Sequence, residues 1–213
     1  MLATREHATR TRTATVNTLK ALILTAPEDL HAQFRGRRTA AQVRTALALR
    51  PRPGQPVSEQ HLRQALRQLA RQITDQDTTL KTSLKDIRSL ARAWLPALLA
   101  EPGIGPISAA QLLVTWSHPG RFRSQAAFAA LTGTAPIPAS SGRTARHRLN
   151  PYGDRNANRA LHTIAISRLR YHAPTIAYAT RRTAGGKTAR EIRRCIKRYL
   201  ARSIYRMMEH PTA

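Results

Sequence analysis

The stretch from Ser58 to Leu95 contains neither proline nor glycine, and no other feature restricts the fold of this chain as strongly. Ser58 is a suitable N-cap, and Pro96 ends the stretch. Apolar residues recur at alternating steps of four and three, which is typical of a helix with one buried face. The pattern predicts one helix of roughly 57 Å, at about 1.5 Å per residue. Its apolar positions are Leu62, Leu66, Leu69, Ile73, Leu80, Leu84, Ile87, Ala91 and Trp94.

This helix has two interpretations. The spacing resembles a coiled-coil seam with one stutter, because Gln76 interrupts the stripe and an extra four-residue step separates Leu80 from Leu84. The helix therefore either packs on the first helix of its own chain or forms a dimerisation arm, and the two are compatible. The second interpretation predicts a homo-oligomer.

Proline and glycine divide the rest of the chain into further helices. A first helix should run to Leu24 and a short one from Thr39 to Leu49, followed by a linker at Pro51 to Gly54. The fold is predicted to be mainly α: a long coiled-coil-like helical region over residues 1–95 leads into a compact helical domain over residues 96–213.

The last helix should begin at Thr188, which forms a capping-box pattern with Glu191. Its spacing predicts one buried and one basic face. The predicted buried stripe is Ile192, Cys195, Ile196, Tyr199, Leu200, Ile204 and Met207. The predicted basic face is Arg190, Arg193, Arg194, Lys197, Arg198 and Arg202.

The charge balance indicates a polyanionic partner. The chain carries 36 Lys and Arg against 11 Asp and Glu, a formal net charge of +25. Nucleic acid is the usual partner of so basic a protein, because cationic side chains release counterions from phosphates. The alternative is that the excess of arginine reflects genomic bias or solubility.

Other bulk features limit the function classes. The single cysteine, Cys195, excludes an internal disulfide and a cysteine metal cluster, and it should be a core thiol. No apolar run is long enough to span a membrane, and the first twelve residues lack a signal-peptide core. These features predict a cytoplasmic protein without a membrane partner.

Three motifs could carry function. Around Gly103 and Gly105 the sequence is typical of a helix-hairpin-helix, in which glycines let the backbone approach a phosphate at a helix N-terminus; the alternative is a plain tight turn.

Ser141 precedes Gly142 and the basic residues Arg143, Arg146 and Arg148, which could stabilise charge at a phosphodiester. Spacing alone favours a solvent loop there.

Asp154 should cap a helix that presents Arg155 and Arg159 on one face, towards phosphate or water.

Taken together, these motifs resemble the IS110 family of insertion-sequence transposases. The resemblance is carried, in order, by Pro102–Pro106 with Ala109–Leu113, Phe122–Ser124 with Ala126–Gly133, Ala135–Gly142, Gly153-Asp154 with Asn158–Leu161, and Arg181–Lys187 with Arg194–Tyr199. It covers essentially the whole chain and is dense from Pro102 to Tyr199. One departure is Pro151-Tyr152, where relatives commonly have a basic or glycine residue before the Gly-Asp pair.

The resemblance implies a role and a set of site residues. Family members are recombinases guided by a structured RNA that bridges donor and target DNA, so DNA and a guide RNA are the implied partners. Their C-terminal domain contributes a serine thought to link covalently to DNA. The motif match puts this serine at Ser141, with Ser140 as its neighbour. His147 could serve as a base, although a loop histidine is more often solvated.

The resemblance also implies a part that this chain should lack. Family members carry an N-terminal RuvC-like domain with a DEDD metal site, which needs several convergent carboxylates. Only Glu6 precedes Glu28 here, and no carboxylate cluster is present. No metal site is therefore expected in this chain, and Mg²⁺ is expected only with the RuvC-like domain. We expect no autonomous transposition, and whether the chain is an enzyme stays open.

Two alternatives compete with a nucleophilic half-enzyme. The chain could be a catalytically inactive remnant that binds DNA and dimerises with full-length copies. It could also be a repair-type helix-hairpin-helix protein, which would explain Gly103 and Gly105 but not the ordered motifs after Ser124.

The basic residues after Ser141 give a first testable prediction. Replacing Arg146 and Arg148 together by alanine should weaken DNA binding and flatten its salt dependence, by about one power of salt concentration for each phosphate that the variant no longer binds. The measurement is the dissociation constant over a series of salt concentrations. An unchanged slope would remove these arginines from the interface.

Overall fold

The computed structural model describes residues 1–50, 54–138, 147–148 and 150–210, with only the backbone of residues 147 and 148. These residues are mainly α-helical, as predicted. The helices are α1 (Leu2–Leu24), α2 (Glu28–His31), α3 (Thr39–Ala48), α4 (Val57–Trp94), α5 (Pro96–Ala100), α6 (Pro106–Trp116), α7 (Gln125–Leu131), α8 (Arg155–Tyr171), α9 (Ala173–Ala184) and α10 (Ala189–Glu209). Two short strands, β1 (Ile137–Pro138) and β2 (His147–Arg148), pair antiparallel.

The chain divides into two compact units, Met1–Lys85 and Asp86–Ala213, so the division falls within α4. The boundary that the sequence suggested, at residue 95, stays a prediction. The helices predicted up to Leu24, over Thr39–Leu49 and over Ser58–Leu95 correspond to α1, α3 and α4. Of the predicted linker, residues 51–53 lie outside the described residues.

In the first unit, α1 contacts α4 of the same chain. The Arg12 guanidinium donates to the Asp77 carboxylate, and the Arg5 guanidinium donates to the Ser83 hydroxyl at 2.9 Å. These contacts support the interpretation of α4 as a helix packed on its own first helix. A dimerisation arm stays a prediction. The core of this unit is Val16, Leu19, Ile23, Leu30, Phe34, Ala46, Leu49, Leu66, Ala70 and Ile73.

One charged side chain is buried at the edge of this core. Arg63 is 2% exposed, and its guanidinium donates twice to the Glu59 carboxylate, at 2.8 and 3.0 Å. Glu59 lies one helical turn earlier on α4, so the pair forms within one helix. A buried arginine is tolerated here because its charge is paired and hydrogen-bonded.

The second unit is a helical bundle built around α10. This helix packs against α7, α8 and α9, and α6 packs against α8. Phe128 lies 5.3 Å from Phe122 and 5.8 Å from Tyr205, measured between ring centroids. The core is Leu98, Ile104, Ala109, Leu112, Trp116, Phe128, Ala160, Leu161, Ile164, Ala165, Ile192, Ile196, Leu200, Ala201, Ile204, Tyr205 and Met208.

The start of α10 agrees with the sequence analysis. Thr188 is its N-cap, and the capping box with Glu191 is formed in both directions. These hydrogen bonds to the Thr188 backbone and hydroxyl hold the pKa of Glu191 below its usual value. A charged carboxylate in the first turn is also favoured by the helix dipole.

The predicted faces of α10 need correction. Lys197, assigned to the basic face, is only 6% exposed, whereas Tyr199, assigned to the buried stripe, is 58% exposed. The buried face is instead rotated towards Lys197, Ala201 and Tyr205, because α10 contacts α8 on one side and α7 on the other. Cys195 is only partly buried, so it is not the core thiol that the stripe predicted.

The apolar stripe of α4 is also wrong at its end. Trp94 is 74% exposed, although Ile87 and Ala91 before it are buried. Across the described ranges, no helix is both long and apolar enough to cross a membrane.

Candidate functional site

The α5–α6 connection has the form of a tight turn between two helices. Gly103 adopts a positive φ of 81°, and Gly105 is the N-cap of α6. Ile104 between them is buried. The positive φ requires glycine at position 103, since a side chain is strained in that region.

Gly103 also approaches another helix closely. A Cβ at this position would lie 3.1 Å from Cγ of Arg168 and 3.3 Å from the carbonyl oxygen of Ile164, both in α8. Arg168 fixes the turn by donating to the Pro102 carbonyl and the Glu101 carboxylate, each at 2.7 Å. Packing on α8 is therefore sufficient to explain Gly103.

Gly105 has a different environment. A Cβ there would meet no heavy atom within 4 Å, so the start of α6 is open on this side. The backbone amides of the first turn of a helix lack intrahelical partners and favour anions. A phosphate contact at this turn stays a prediction, and it rests on Gly105 more than on Gly103.

The segment that contains Ser141 is anchored at both ends. Ile137 pairs with Arg148 and Pro138 with His147, so the chain enters and leaves this segment as paired strands. Ser140, Ser141, Arg143 and Arg146 lie outside the described residues, as do the side chains of His147 and Arg148.

Two glycines, Gly133 and Gly153, let two parts of the backbone come into direct contact. A Cβ on Gly153 would lie 2.3 Å from the Gly133 nitrogen and 2.4 Å from its Cα, so the two backbones touch. Gly133 itself has a positive φ of 64°. The Asp154 amide donates to the Leu131 carbonyl across the same crossing. No side chain fits between the two backbones at this point.

Asp154 caps α8, as predicted. Its carboxylate accepts from the Asn156 and Ala157 amides at 2.8 and 3.2 Å, and from the Thr115 hydroxyl at 3.0 Å. The carboxylate thus joins α6 to the start of α8. Arg155 and Arg159 follow on the exposed surface of α8, and Arg159 donates to the Asn156 side chain.

A buried lysine lies behind the glycine crossing. Nζ of Lys197 donates to Oδ1 of Asn158 at 2.7 Å, and the amide nitrogen of Asn158 donates to the carbonyls of Thr132 and Gly133 at 2.8 and 3.1 Å. Burial, and then the neighbouring Arg194, lower the pKa of Lys197. The network connects α10 and α8 to the end of α7.

Residue spacing along the sequence does not predict this network. The spacing places Lys197 next to the apolar stripe of α10, on the face that is predicted to be exposed. Asn158 was recognised only as part of a motif. Which side of α10 is buried depends on how α8 and α7 contact it, and residue spacing does not give that.

The outer surface of α8 and the N-terminal half of α10 share a positive potential. Burial lowers the pKa of His162, and the charges of Lys197 and Arg193 lower it further. We call this the α8–α10 basic surface, comprising Arg155, Arg159, His162, Arg190, Arg193 and Arg194. Over the described ranges, no group of three or more His, Cys, Asp or Glu side chains could hold a metal ion.

The described part of this unit is an α-helical domain with an exposed arginine surface, and such a surface suits a polyanionic partner. Residues 96–181 match the family model described as Transposase IS116/IS110/IS902 family. The match supports a transposase domain similar to this family over these residues and, with it, a role in DNA transposition. A comparison with curated proteins gave no match.

The glycine crossing gives a stability prediction. Gly153→Ala should lower the free energy of unfolding by at least about 3 kcal/mol, because its Cβ would overlap backbone atoms that cannot move aside. Gly105→Ala is the matched control and should lower it by about 1 kcal/mol or less, since its Cβ meets open space and only the N-cap preference for glycine over alanine is lost. Urea denaturation followed by circular dichroism measures both. Equal stability of the two variants would contradict the crossing.

The buried lysine gives a pH prediction. Its folded-state pKa is lowered, so above that pKa the folded chain releases the proton while the unfolded chain still binds it. The contribution of Lys197 to the free energy of unfolding therefore rises with pH up to the ordinary lysine pKa of about 10.4. Wild type should gain stability relative to Lys197→Met between pH 7 and pH 10. A constant difference between the two proteins would show that Lys197 is not desolvated.

Proposed function

We propose that this chain binds DNA through the α8–α10 basic surface and that Ser141 is its nucleophile for strand exchange. One observation carries the proposal: the family match spans both Ser141 and Arg155. The resemblance adds a guide RNA as a further proposed partner. Homo-oligomerisation through α4 is part of the same proposal.

The charge of the α8–α10 basic surface supports DNA binding. Arg155 and Arg159 are exposed, while the one carboxylate next to them, Asp154, is occupied by two amides and a hydroxyl. Arginine binds phosphate oxygens in a bidentate manner. Burial is the main cause of the lowered pKa of His162, and the charges of Lys197 and Arg193, which also favour an anion, lower it further.

The glycine crossing supports the second part of the proposal. A nucleophile must be held at a defined place relative to the phosphate for the reaction to be fast. Backbone contact between Gly133 and Gly153, with the Asn158 bonds beside it, brings together two points of the chain that lie before and after Ser141 in sequence. The same contacts hold the first turn of α8, which carries Arg155 and Arg159.

The proposed reaction exchanges one phosphodiester for another. The Ser141 hydroxyl forms a bond to phosphorus and loses its proton, while the bond from phosphorus to one sugar oxygen breaks and that oxygen leaves as a hydroxyl. Attack by a sugar hydroxyl of another strand reverses the step and releases the serine. Arginines near the phosphate would stabilise the charge that develops on its oxygens.

The described residues do not provide the carboxylates of a two-metal site, so no step on this chain is assigned to a metal. The family resemblance implies that Mg²⁺ in a RuvC-like domain would supply that chemistry. The proposal for this chain concerns binding, positioning and the serine alone.

The test is to trap the covalent intermediate. Labelled cognate DNA is incubated with the protein, with and without a supplied RuvC-like domain, and a denaturant-resistant adduct is sought on a gel. We expect an adduct that Ser141→Ala abolishes. Ser140→Ala is the matched control and should retain it.

DNA binding is measured in parallel for every variant. An adduct that needs Ser140 instead would move the nucleophile by one residue. Bound DNA without an adduct in either condition would favour the second candidate function, a DNA-binding module without catalysis. No binding at all would contradict the proposal as a whole.

A further inference from the structure

We propose that the groove between α9 and α10 binds an unpaired base of single-stranded nucleic acid, with Tyr199 as the stacking surface. The proposal rests on the proposed function, because it specifies a second kind of nucleic-acid contact for the same domain. None of the residues that line the groove belongs to the α8–α10 basic surface.

The groove depends on which face of α10 is buried. Burial of Lys197 turns Tyr199 outwards, and 58% of Tyr199 is exposed. The groove has a volume of about 230 Å³. This is smaller than the roughly 300–1,000 Å³ of pockets that enclose drug-sized ligands, so it suits one planar group. It is lined by Arg168, Pro174, Thr175, Tyr178, Ile196, Tyr199, Leu200 and Ser203.

Two tyrosines form the aromatic wall of the groove. The rings of Tyr178 and Tyr199 meet edge to face, with centroids 5.7 Å apart and planes at 88°. Each ring therefore restricts the rotation of the other. A held, half-exposed aromatic ring is a surface on which a base of any sequence can stack.

The Tyr178 hydroxyl stays neutral in this environment. Burial, together with the neighbouring Cys195, raises the pKa of Tyr178 to about 12. The groove therefore presents no phenolate that would repel a phosphate at neutral pH.

The rim of the groove is cationic. The guanidinium carbons of Arg181 and Arg182 lie 5.8 and 5.9 Å from the centroid of the Tyr178 ring. Arg198 and Arg202 flank Tyr199 along α10. Arg168, in the lining, is already paired with Glu101. An aromatic floor beneath several arginines matches a base with its attached backbone phosphates.

Positive charge favours nucleic acid over an apolar protein segment as the occupant of the groove. Arg181 and Arg182 lie beside the Tyr178 ring, and an apolar partner would remove their charges from water without compensating them. Backbone phosphates carry the complementary charge.

The experiment compares strands and variants of the full chain. Fluorescent oligothymidine, oligouridine and a DNA duplex are titrated with wild type, Tyr199→Ala, Tyr199→Phe and Tyr171→Ala. Tyr171 is the matched control, because it is also 58% exposed but does not line the groove. Circular dichroism checks that each variant folds.

Tyr199→Ala should weaken binding of both single strands about ten-fold and leave duplex binding unchanged. Tyr199→Phe should retain the affinity, since stacking needs the ring and not the hydroxyl, and Tyr171→Ala should behave as wild type. Equal preference for uridine and thymidine strands would show that the base ring is recognised, and preference for one would identify RNA or DNA as the natural strand.

Unchanged single-strand binding by Tyr199→Ala would overturn the proposal. So would an equal reduction of duplex binding, which would indicate a general charge or folding effect. If Tyr199→Ala dissociates an oligomer in a sedimentation experiment and leaves strand binding intact, the groove is an interface between copies. Failure of this proposal is separable from failure of the proposed function, because duplex binding and the Ser141 adduct are measured independently of Tyr199.

Discussion

The architecture of the second unit depends on the contact between Gly133 and Gly153. Two backbones touch there, and a methyl group on Gly153 would lie 2.3 Å from the opposite nitrogen. This contact closes the segment that contains Ser141 and begins α8 at a fixed point. Asp154 then joins α8 to Thr115 of α6, and Asn158 joins it to the end of α7. The start of α8, the end of α7 and α6 thus come together near this glycine contact.

The buried Lys197 is the main electrostatic feature behind that crossing. Its charge is only partly compensated, since its one described hydrogen bond goes to the neutral amide of Asn158. Proteins place such groups in the interior only where the surrounding packing holds them. The same burial determines the orientation of α10, which leaves Tyr199 facing the groove with α9. The inner network and the outer aromatic surface are therefore two consequences of one helix orientation.

The arginines of the two units fall into two groups with different roles. Arg63 is paired with Glu59 within α4, and Arg168 is paired with Glu101 and joins α8 to the α5–α6 turn. The arginines on α8 and along α9 and α10 lie mostly towards solvent, which leaves a large excess of positive charge for a polyanion. This division separates the residues that build the fold from those proposed to contact nucleic acid.

The sequence by itself determined the helical class, the extent of α4, the capping of α8 and α10 and the order of the family motifs, because these depend on neighbours within a few residues. Only the tertiary structure decided which side of α10 is buried, why Gly103 and Gly153 are glycines, and that Asn158 and Lys197 meet. Those features depend on contacts between residues distant in sequence. A helix repeat of 3.6 residues gives the spacing of a buried face, and the packing of α7 and α8 selects its direction. For that reason Lys197, Tyr199 and Trp94 were assigned to the wrong environment, whereas Asp154 and Thr188 were assigned correctly.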